Sequence, residues 1–356
     1  MPKTVVILGA GWAGLPLAHK LLKYTAPKTS VRVILVSPNS HFFWNVAATR
    51  GIIPGAIPDE QLFLPIEDAF KQHPGTSFRF LLGSAQEIIP EKNSVTVRAQ
   101  DGTEECLRYD QLVIATGSRM ASGLPLKSLG PHETTMAAWR DLQQQIQRSK
   151  SIVIAGAGAT GVEVAGELAA RYGSDKTITL IMSEDKPLSN LPGALPSVRH
   201  TVDSDLQRLG VHLLRNSRVS ETMAAGSNGQ ARIRLSTGAE LTADCYLALH
   251  GIKLNTSFIP PSLLDGKGNV NQEPTMQVTG VKNIWAIGDA GSLEPKQLTV
   301  IDSQVIHLAS ALDAVLSGDD AVSAYKPTNK TMLFLSLGTK FATGQIGSWK
   351  VWGYLV

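Results

Sequence analysis

The fold is decided by the first fourteen residues, where Val5-Val6-Ile7-Leu8 runs directly into Gly9-Ala10-Gly11-Trp12-Ala13-Gly14. A Leu- and Ala-rich segment with helical spacing follows, so the stretch predicts a strand, a tight turn and a helix. In such a unit the first glycine forms the turn, the second lets the backbone approach a pyrophosphate, and the third lets the helix pack closely on the strand. The free amides at the helix start then bind the phosphates.

The same pattern occurs a second time, which distinguishes it from an ordinary glycine turn. A strand over 151–155 leads into Gly156-Ala157-Gly158-Ala159-Thr160-Gly161, and the Asp-led apolar strand over 110–117 recurs over 244–251. Two strand-turn-helix units, each closed by such a strand, imply two nucleotide-binding domains. The sequence therefore predicts an α/β fold with two Rossmann-like domains, the first from 1–125 and 255–325, the second from 126–254. A short C-terminal segment, 326–356, completes the chain.

Composition narrows the function. The chain has 356 residues, 43% hydrophobic and 18% charged, which is an ordinary globular mixture, and its net charge of +3 gives no reason to expect a nucleic-acid partner. The charge is unevenly distributed. Residues 321–356 carry a net charge of +4, from Lys326, Lys330, Lys340 and Lys350 and no acidic residue, and the rest of the chain has a net charge of −1. Cys106 and Cys245 form no C-x-x-C pair, which excludes a dithiol reductase.

The N-terminus and the hydropathy bear on location. The first strand follows Met1-Pro2-Lys3 without a signal peptide, Pro2 breaks the N-myristoylation pattern, and no apolar run reaches the about 18 residues of a membrane span. The expected location is the cytoplasm, with a peripheral membrane contact possible.

The acidic residues that usually bind ribose hydroxyls are missing from both units. Ser37 stands at the end of the strand over 31–36, and Met182 at the end of the strand over 178–182. Ser37 or Asn39 can still hydrogen-bond a ribose, but a polar turn explains them equally well. A 2′-phosphate is less strongly repelled without a carboxylate, and Lys186 can attract one, so NADPH stays open beside NADH.

Three other segments offer candidate contacts to a cofactor. In 41–50, three aromatics lie beside an amide and a guanidinium, which fits either core packing or a site in which Trp44 and Asn45 lie beside a flat ring system and Arg50 reaches a pyrophosphate. Ala115-Thr116-Gly117 ends a buried strand with small side chains, which lets the backbone approach something large. Asp289 follows Ile287-Gly288 and fits a ribityl hydroxyl or, alternatively, a cap for a helix over 298–316. Residues 78–109 predict antiparallel strands.

As an ordered set, these motifs resemble the two-dinucleotide-binding-domain flavoprotein oxidoreductases, which have the pyridine nucleotide-disulfide reductase-like fold, here without the redox disulfide. Within them the chain is most similar to the apoptosis-inducing-factor-2 / ferroptosis-suppressor group of NAD(P)H:quinone oxidoreductases. The similar segments are Asn45-Val46-Ala47-Ala48-Thr49-Arg50, Gly251-Ile252-Lys253-Leu254-Asn255, Pro295-Lys296 and Gly344-Gln345-Ile346. Ser37, Met182 and a tail that stops at Val356, short of the family's usual end, depart from the pattern.

The resemblance implies two bound cofactors. FAD would be held by the turn Gly9 to Gly14 together with Arg50, Ala85, Thr116, Gly117 and Asp289. NAD(P)H would lie on the turn from Gly156 to Gly161, with Glu163 near the nicotinamide and Gly251 in backbone contact.

The chemistry then belongs to the cofactors, and the protein positions two rings against each other. A hydride would pass from NADH or NADPH to FAD, and electrons then to a quinone or similar small acceptor. Glu163 and Lys296 are the candidate catalytic residues. Amides at the start of the helix after Lys296 would stabilise the anionic reduced flavin, and a solvated or capping glutamate is the alternative for Glu163. No metal site is expected.

Two other functions fit the same motifs. The acceptor can be a small protein, an ascorbyl radical or a secondary metabolite, or the chain can be an interaction protein that reports redox state through bound nucleotides. The C-terminal segment, rich in lysines and aromatics, suits a membrane interface where a lipid quinone is met. A strand pair packed on the flavin domain explains it at least as well, and the oligomeric state stays unknown.

Overall fold

The computed structural model describes residues 2–223, 230–319, 321–328 and 330–353. The first part of the chain contains nine strands and three short helices, with 3-10 turns at Asn45–Ala47, Glu67–Phe70 and Pro90–Lys92. The strands are β1 Lys3–Leu8, β2 Val31–Ser37, β3 His41–Phe43, β4 Phe63–Pro65, β5 Phe78–Ile89, β6 Ser94–Ala99, β7 Glu104–Arg108, β8 Gln111–Ile114 and β9 Ser118–Met120. The helices are α1 Gly14–Lys20, which continues as a π-helical turn at Leu21–Thr25, α2 Ala48–Gly51 and α3 Asp59–Leu62.

The middle of the chain contains the longest described helix, α4 His132–Arg148. Besides α4, it comprises β10 Ser151–Ala155, α5 Ala159–Tyr172, β11 Thr177–Ile181, α6 Pro196–Arg208, β12 His212–Leu214, β13 Val219–Met223, β14 Ala231–Leu235, β15 Glu240–Ala243, β16 Cys245–Ala248 and β17 Ile252–Leu254, with a 3-10 turn at Gly173–Asp175. The last part comprises β18 Gln277–Val278, β19 Val281–Ala286, α7 Ile301–Leu316, β20 Met332–Leu337, β21 Phe341–Ile346 and β22 Trp349–Val351, with 3-10 turns at Pro261–Leu263, Gly288–Ala290 and Leu298–Val300.

The first sheet has eight strands in the order β18-β19-β8-β1-β2-β5-β6-β7, so strands from the last part complete the sheet begun at the N-terminus. Its centre is parallel, and the buried runs Val5–Leu8 of β1 and Leu112–Ile114 of β8 are apolar, as a sheet covered on both faces requires. The prediction for 78–109 was wrong in one respect. The first half of β5 pairs parallel with β2 and only its second half turns into the antiparallel β5-β6-β7 meander, because one long strand serves both.

The second domain repeats the plan on a smaller scale. Its parallel sheet has the order β12-β11-β10-β16, and the antiparallel strands β13-β14-β15 form a separate sheet. The two domains are joined where β9 pairs antiparallel with β17, so the two chain crossings between domains form one ribbon. The predicted α/β fold with two Rossmann-like domains is confirmed.

The C-terminal segment forms a three-stranded antiparallel sheet, β20-β21-β22. A strand pair on the flavin domain was the wrong expectation, because this sheet packs on α5 and α6 of the second domain. Gly166 of α5 makes the close approach possible, since a Cβ there would lie 2.7 Å from Leu337 Cα. Gln345, fully buried, accepts a hydrogen bond from Leu195 N at 2.7 Å and donates to Gly193 O at 2.8 Å.

Helix α7 and its preceding turn are the most apolar helical stretch. Among the described residues, Leu298–Ser317 alone has the length and composition to cross a membrane. In this fold its residues Val305, Leu308 and Leu312 are buried in the core shared with α1 and β1. The stretch therefore serves as a core helix here.

Candidate active site

The first glycine turn has the shape that a pyrophosphate needs. Gly9 has φ +106°, and a Cβ there would lie 2.3 Å from Ala115 O, while a Cβ on Gly14 would lie 1.8 Å from Gly9 O. A Cβ on Gly11, by contrast, would meet no heavy atom within 4 Å. Two glycines are thus required by close packing, and the third leaves the backbone open to a ligand. The turn fits FAD, and the residues that carry it are those predicted from the sequence.

The second turn repeats this arrangement. Gly156 has φ +111° and approaches Leu249 O, and a Cβ on Gly161 would lie 1.8 Å from Gly156 O. Thr160, in the first turn of α5, stands directly before Gly161. The difference lies at Gly158, where Asn190 Nδ2 would be 3.2 Å from a Cβ. The turn therefore fits a second dinucleotide, and an amide side chain that the sequence analysis missed lies against it.

Asn190 is brought there by a strained loop after β11. Leu188 has φ +61°, unusual for a branched side chain, and its N–H donates to Ala157 O at 2.8 Å. This hydrogen bond fixes the loop on the glycine turn. No sequence motif indicates the contact, because it depends on a left-handed leucine.

The two positions where an acidic residue usually binds a ribose hold Ser37 and Met182. Ser37 is buried, and its hydroxyl donates to Asn39 O at 2.9 Å and accepts from Asn39 N at 3.1 Å, which is the polar turn proposed as the alternative; its contact to a ribose stays a prediction. Met182 is buried. Lys186 Nζ lies 3.3 Å from Asp203 Oδ2, and Arg215 lies 2.7 Å from Asp203 Oδ1, so one buried carboxylate pairs with both cations.

Asp289 lies in the 3-10 turn after β19, at the carboxyl edge of the first sheet. Its Oδ2 accepts hydrogen bonds from Ser118 Oγ at 2.6 Å and from Lys127 Nζ at 2.8 Å. Burial opposes ionisation of Asp289, but Lys127 and Ser118 outweigh it and hold its pKa below the ordinary value. The carboxylate is thus held ionised without capping α7, which begins twelve residues later, at Ile301. No sequence motif indicates that Lys127 contacts Asp289, because Lys127 lies in an irregular loop.

Lys296 lies near this carboxylate. Its Nζ donates to Gly291 O, and burial lowers its pKa, with Asp289 and Asp265 opposing. The 3-10 turn at Leu298–Val300 and then α7 begin just after it. A partly buried cation thus lies at the edge where the resemblance places the flavin.

The two chain crossings between the domains are held together at Thr116 and Asn255, both of the first domain. Thr116 Oγ1 donates to Asn255 O at 2.7 Å, and Asn255 Nδ2 donates to Thr116 O at 3.0 Å. Gly251 (φ +76°) precedes β17, and a Cβ there would lie 3.4 Å from Ala121 Cβ. The Ala115-Thr116-Gly117 turn is therefore fixed to the returning chain. Ala85 lies in β5 opposite Val97, on the antiparallel side of the first sheet.

The segment after β3 contributes a polar contact to the first turn. Asn45 Oδ1 accepts from Trp12 Nε1 at 2.7 Å, so the amide predicted near a ring system holds the indole of the glycine motif. Trp44 is 41% exposed and Val46 is 42% exposed, so neither is a core residue. Phe43, by contrast, stacks on Phe63 with ring centroids 4.5 Å apart. The aromatic run therefore divides between core and surface.

Arg50 makes contacts that the sequence did not predict. Its Nε and Nη2 donate to Glu167 Oε2 and Oε1 at 3.0 and 2.7 Å, and Nη2 also donates to Ser336 Oγ at 2.8 Å. Glu167 belongs to α5 and Ser336 to β20. Arg50 thus joins the first domain, the second domain and the C-terminal sheet, and its contact to a pyrophosphate stays a prediction.

Glu163 lies one helical turn before Glu167. Its Oε1 accepts a hydrogen bond from Ser336 N at 3.3 Å. Burial raises the pKa of Glu163 to about 7, aided by the charge of Glu167 and opposed by Ser336 and Arg50. A carboxyl group that is protonated for a large part of the time at neutral pH is suited to donate a proton. The alternative of a helix-capping glutamate is wrong, because no side chain caps α5.

The cysteines cannot form a redox pair. Cys106 is exposed on β7 and Cys245 is buried on β16, in different domains, and both are free. Burial raises the pKa of the Cys245 thiol to about 12, so it does not act as a nucleophile.

Comparison with known proteins assigns a family to the stretch that contains the two glycine turns and the Ile-Gly-Asp turn. The pyridine nucleotide-disulphide oxidoreductase family model matches residues 3–307. The chain belongs to this family. Members of this family bind FAD and NAD(P)H, and the chain is an NAD(P)H-dependent flavin oxidoreductase by this membership.

Individual members of the family match nearly the whole chain. The oxidoreductase ptaL of Pestalotiopsis fici is 38% identical over 99% of this chain and 94% of its own length. Human ferroptosis suppressor protein 1 is 30% identical over 98% of this chain and 89% of its own length, so the resemblance drawn from the motifs is confirmed.

Solved structures share the fold at lower identity. NDH2 from Plasmodium falciparum, in complex with NADH, aligns with a TM-score of 0.77 at 14% identity over 99% of this chain and 92% of its own. The sulfide:quinone oxidoreductase from Aquifex aeolicus aligns with a TM-score of 0.75 at 18% identity over 97% and 83%.

Proposed function

We propose that this pyridine nucleotide-disulphide oxidoreductase family member is an FAD-dependent NAD(P)H:quinone oxidoreductase. FAD, when bound, would supply the hydride and electron-transfer chemistry between NAD(P)H and the acceptor. Gly9 to Gly14 and Asp289 would hold the FAD, and Gly156 to Gly161 with Asn190 would hold the nicotinamide nucleotide. The open backbone at Gly11 is the observation that fits a dinucleotide there.

The protonation state of Glu163 is our reason for proposing a quinone as the electron acceptor. Reducing a quinone to a quinol consumes two electrons and two protons, of which the NAD(P)H hydride accounts for one proton. A one-electron protein acceptor needs none. Glu163, partly buried with a pKa of about 7, supplies a proton at neutral pH, and Ser336 N holds its Oε1 in place. A carboxyl group so placed is useful to a quinone reductase.

The other residues of the site act by position and charge. Arg50 donates to both carboxylate oxygens of Glu167 but to neither oxygen of Glu163, whose pKa is raised by burial to about 7. Lys296 and the backbone amides that follow it would stabilise negative charge near Asp289, at the carboxyl edge of the first sheet. The name of the Aquifex aeolicus relative refers to a quinone, which supports the acceptor class by analogy of fold alone.

Steady-state turnover with two acceptors tests the proposal. The FAD-loaded chain is given NADH or NADPH with a short-chain quinone, and in parallel with ferricyanide, which takes electrons without protons. We expect Glu163→Gln to lower quinone turnover by about a hundredfold and ferricyanide turnover little, because general acid catalysis is commonly worth that much. Equal losses would assign Glu163 to nucleotide binding, and a wild-type protein without quinone turnover would direct the search to the other acceptors or to a redox sensor.

A further inference from the structure

The outer face of the C-terminal sheet is apolar and exposed. Directly paired residues share a face of a sheet, so Met332, Ile346 and Trp349 lie side by side, with Phe334 beside them on β20. Trp349 is 79% exposed, Ile346 46% and Phe334 45%, whereas the opposite face, with Leu335 and Leu337, is buried against the second domain. Trp352, just past β22, is 60% exposed. Trp349, Ile346 and Phe334 therefore lie together on one surface, and Trp352 lies beyond the edge strand β22, near Lys350.

Two exposed lysines lie at the ends of this sheet, and Lys350 lies on its opposite face, across from Gln345. Lys330 precedes β20 and lies near Gly347 in the turn to β22, Lys340 lies in the turn between β20 and β21, and both are exposed. Lys350 Nζ lies 5.2 Å from the Trp352 ring centroid and donates to Thr201 Oγ1 at 2.6 Å. Residues 321–356 contain no acid. Asp205 of α6 interacts electrostatically with Lys350, but its Oδ1 is already paired with Arg208 Nη1 at 3.2 Å.

We propose that this face docks on a lipid bilayer with anionic headgroups. An exposed tryptophan on an apolar face flanked by Lys330 and Lys340 matches a bilayer interface, where indole rings lie at headgroup level and ammonium groups meet phosphate and carboxylate charges. A second copy of the chain is a poorer occupant, because a two-fold interface sets the same patch against itself and would bring lysines against lysines.

The position of the face relative to the site supports the same occupant. Met332, Phe334 and Ser336 alternate to one side of β20, and Ser336 contacts both Glu163 and Glu167. The strand β20 thus runs from the apolar patch to Ser336, whose backbone N–H donates to the candidate proton donor Glu163. Docking would place the site beside the bilayer from which a lipid-soluble acceptor comes.

Flotation with vesicles tests this proposal independently of catalysis. The FAD-loaded full chain is mixed with vesicles of phosphatidylcholine alone or of phosphatidylcholine with phosphatidylserine. We expect binding to the anionic vesicles only. Trp349→Ser/Trp352→Ser should abolish it, and Lys330→Gln/Lys340→Gln should weaken it by about 25-fold, since each lysine near an anionic surface contributes about fivefold.

Matched variants on other surfaces control for general effects. Tyr24→Ser/Ile306→Ser removes two side chains that are 52% and 58% exposed, and Lys92→Gln/Lys282→Gln removes two exposed charges. Both should bind like wild type, and every variant should keep turnover with a soluble quinone. Failure of wild type to bind, equal binding to neutral vesicles, or a dimer in sedimentation velocity that the tryptophan variant dissolves would overturn the proposal while leaving the oxidoreductase assignment untouched.

Discussion

The Arg50 guanidinium donates to both carboxylate oxygens of Glu167, at 3.0 and 2.7 Å, across the boundary between the two domains. The Glu167 side chain is 5% exposed, so solvent does little to stabilise its charge. Residues in such pairs contribute most through the penalty of leaving one partner alone.

Loss of Arg50 should therefore destabilise the fold. Arg50→Ala leaves Glu167 buried and unpaired, and we expect the free energy of unfolding to fall by about 3 kcal/mol, measured by urea denaturation. Adding Glu167→Gln should restore most of the loss, because the uncompensated charge is gone. Arg98→Ala, which breaks an exposed pair with Glu104, should cost less than about 1 kcal/mol. Additive losses at Arg50 and Glu167 would show that the pair is not coupled.

The raised pKa of Glu163 predicts a pH dependence. Burial moves this pKa from 4.5 to about 7, so the folded chain binds more protons than the unfolded chain between these values. Stability should then fall as pH rises from 4.5 to about 7 and level off above it. Quinone turnover should fall above pH of about 7 as the acid deprotonates. Both pH dependences should vanish in Glu163→Gln, when stability is measured by thermal unfolding and quinone turnover by rate against pH. If the variant kept the same pH dependences, another group would be responsible for the titration.

Asp289 should be required for flavin. Its carboxylate lies at the sheet edge with Ser118 and Lys127 donating to it. We expect Asp289→Ala to be purified with little flavin absorbance, whereas Asp141→Asn, on the exposed side of α4, should keep it. Lys127→Met should raise the pKa of Asp289 and shift flavin retention toward higher pH. An Asp289→Ala protein that stays yellow would remove this residue from the site.

The contact of α5 with the C-terminal sheet should not tolerate a methyl group at Gly166. A Cβ there would lie 2.7 and 2.8 Å from Leu337 Cα and Cβ. Gly166→Ala should therefore cost about 1–3 kcal/mol and shift the pH profile of Glu163, because Ser336 moves with β20. Gly75→Ala is the matched control, since a Cβ there meets no heavy atom within 4 Å. Equal stability of both variants would contradict this packing.

The sequence predicted what depends on local geometry. Gly9 and Gly156 need a positive φ and Gly14 and Gly161 need close packing, and both demands are met only by glycine, so the spacing itself gave two dinucleotide turns. Asp289 after its strand was found for the same reason. These features belong to single strand-turn-helix units that are read directly from the chain.

Contacts between distant segments escaped prediction. Arg50 finds Glu167 and Ser336 at separations of 117 and 286 residues, and nothing in its neighbourhood indicates either partner. Lys127 and Asn190 lie in irregular loops, one of them shaped by a left-handed Leu188. The alternation in β20 indicates a strand, but only the close approach at Gly166 shows which domain it packs against.

The measurement that tests the central claim most directly is anaerobic mixing of the FAD-loaded chain with NADH or NADPH and then with a short-chain quinone, while the flavin band near about 450 nm is followed. The account predicts bleaching by the nicotinamide nucleotide, rapid recovery with quinone, and slow recovery with quinone in Glu163→Gln. Bleaching without recovery in the wild-type protein would contradict the quinone assignment, and a chain that retains no flavin would contradict the reading of both Gly9 to Gly14 and Asp289.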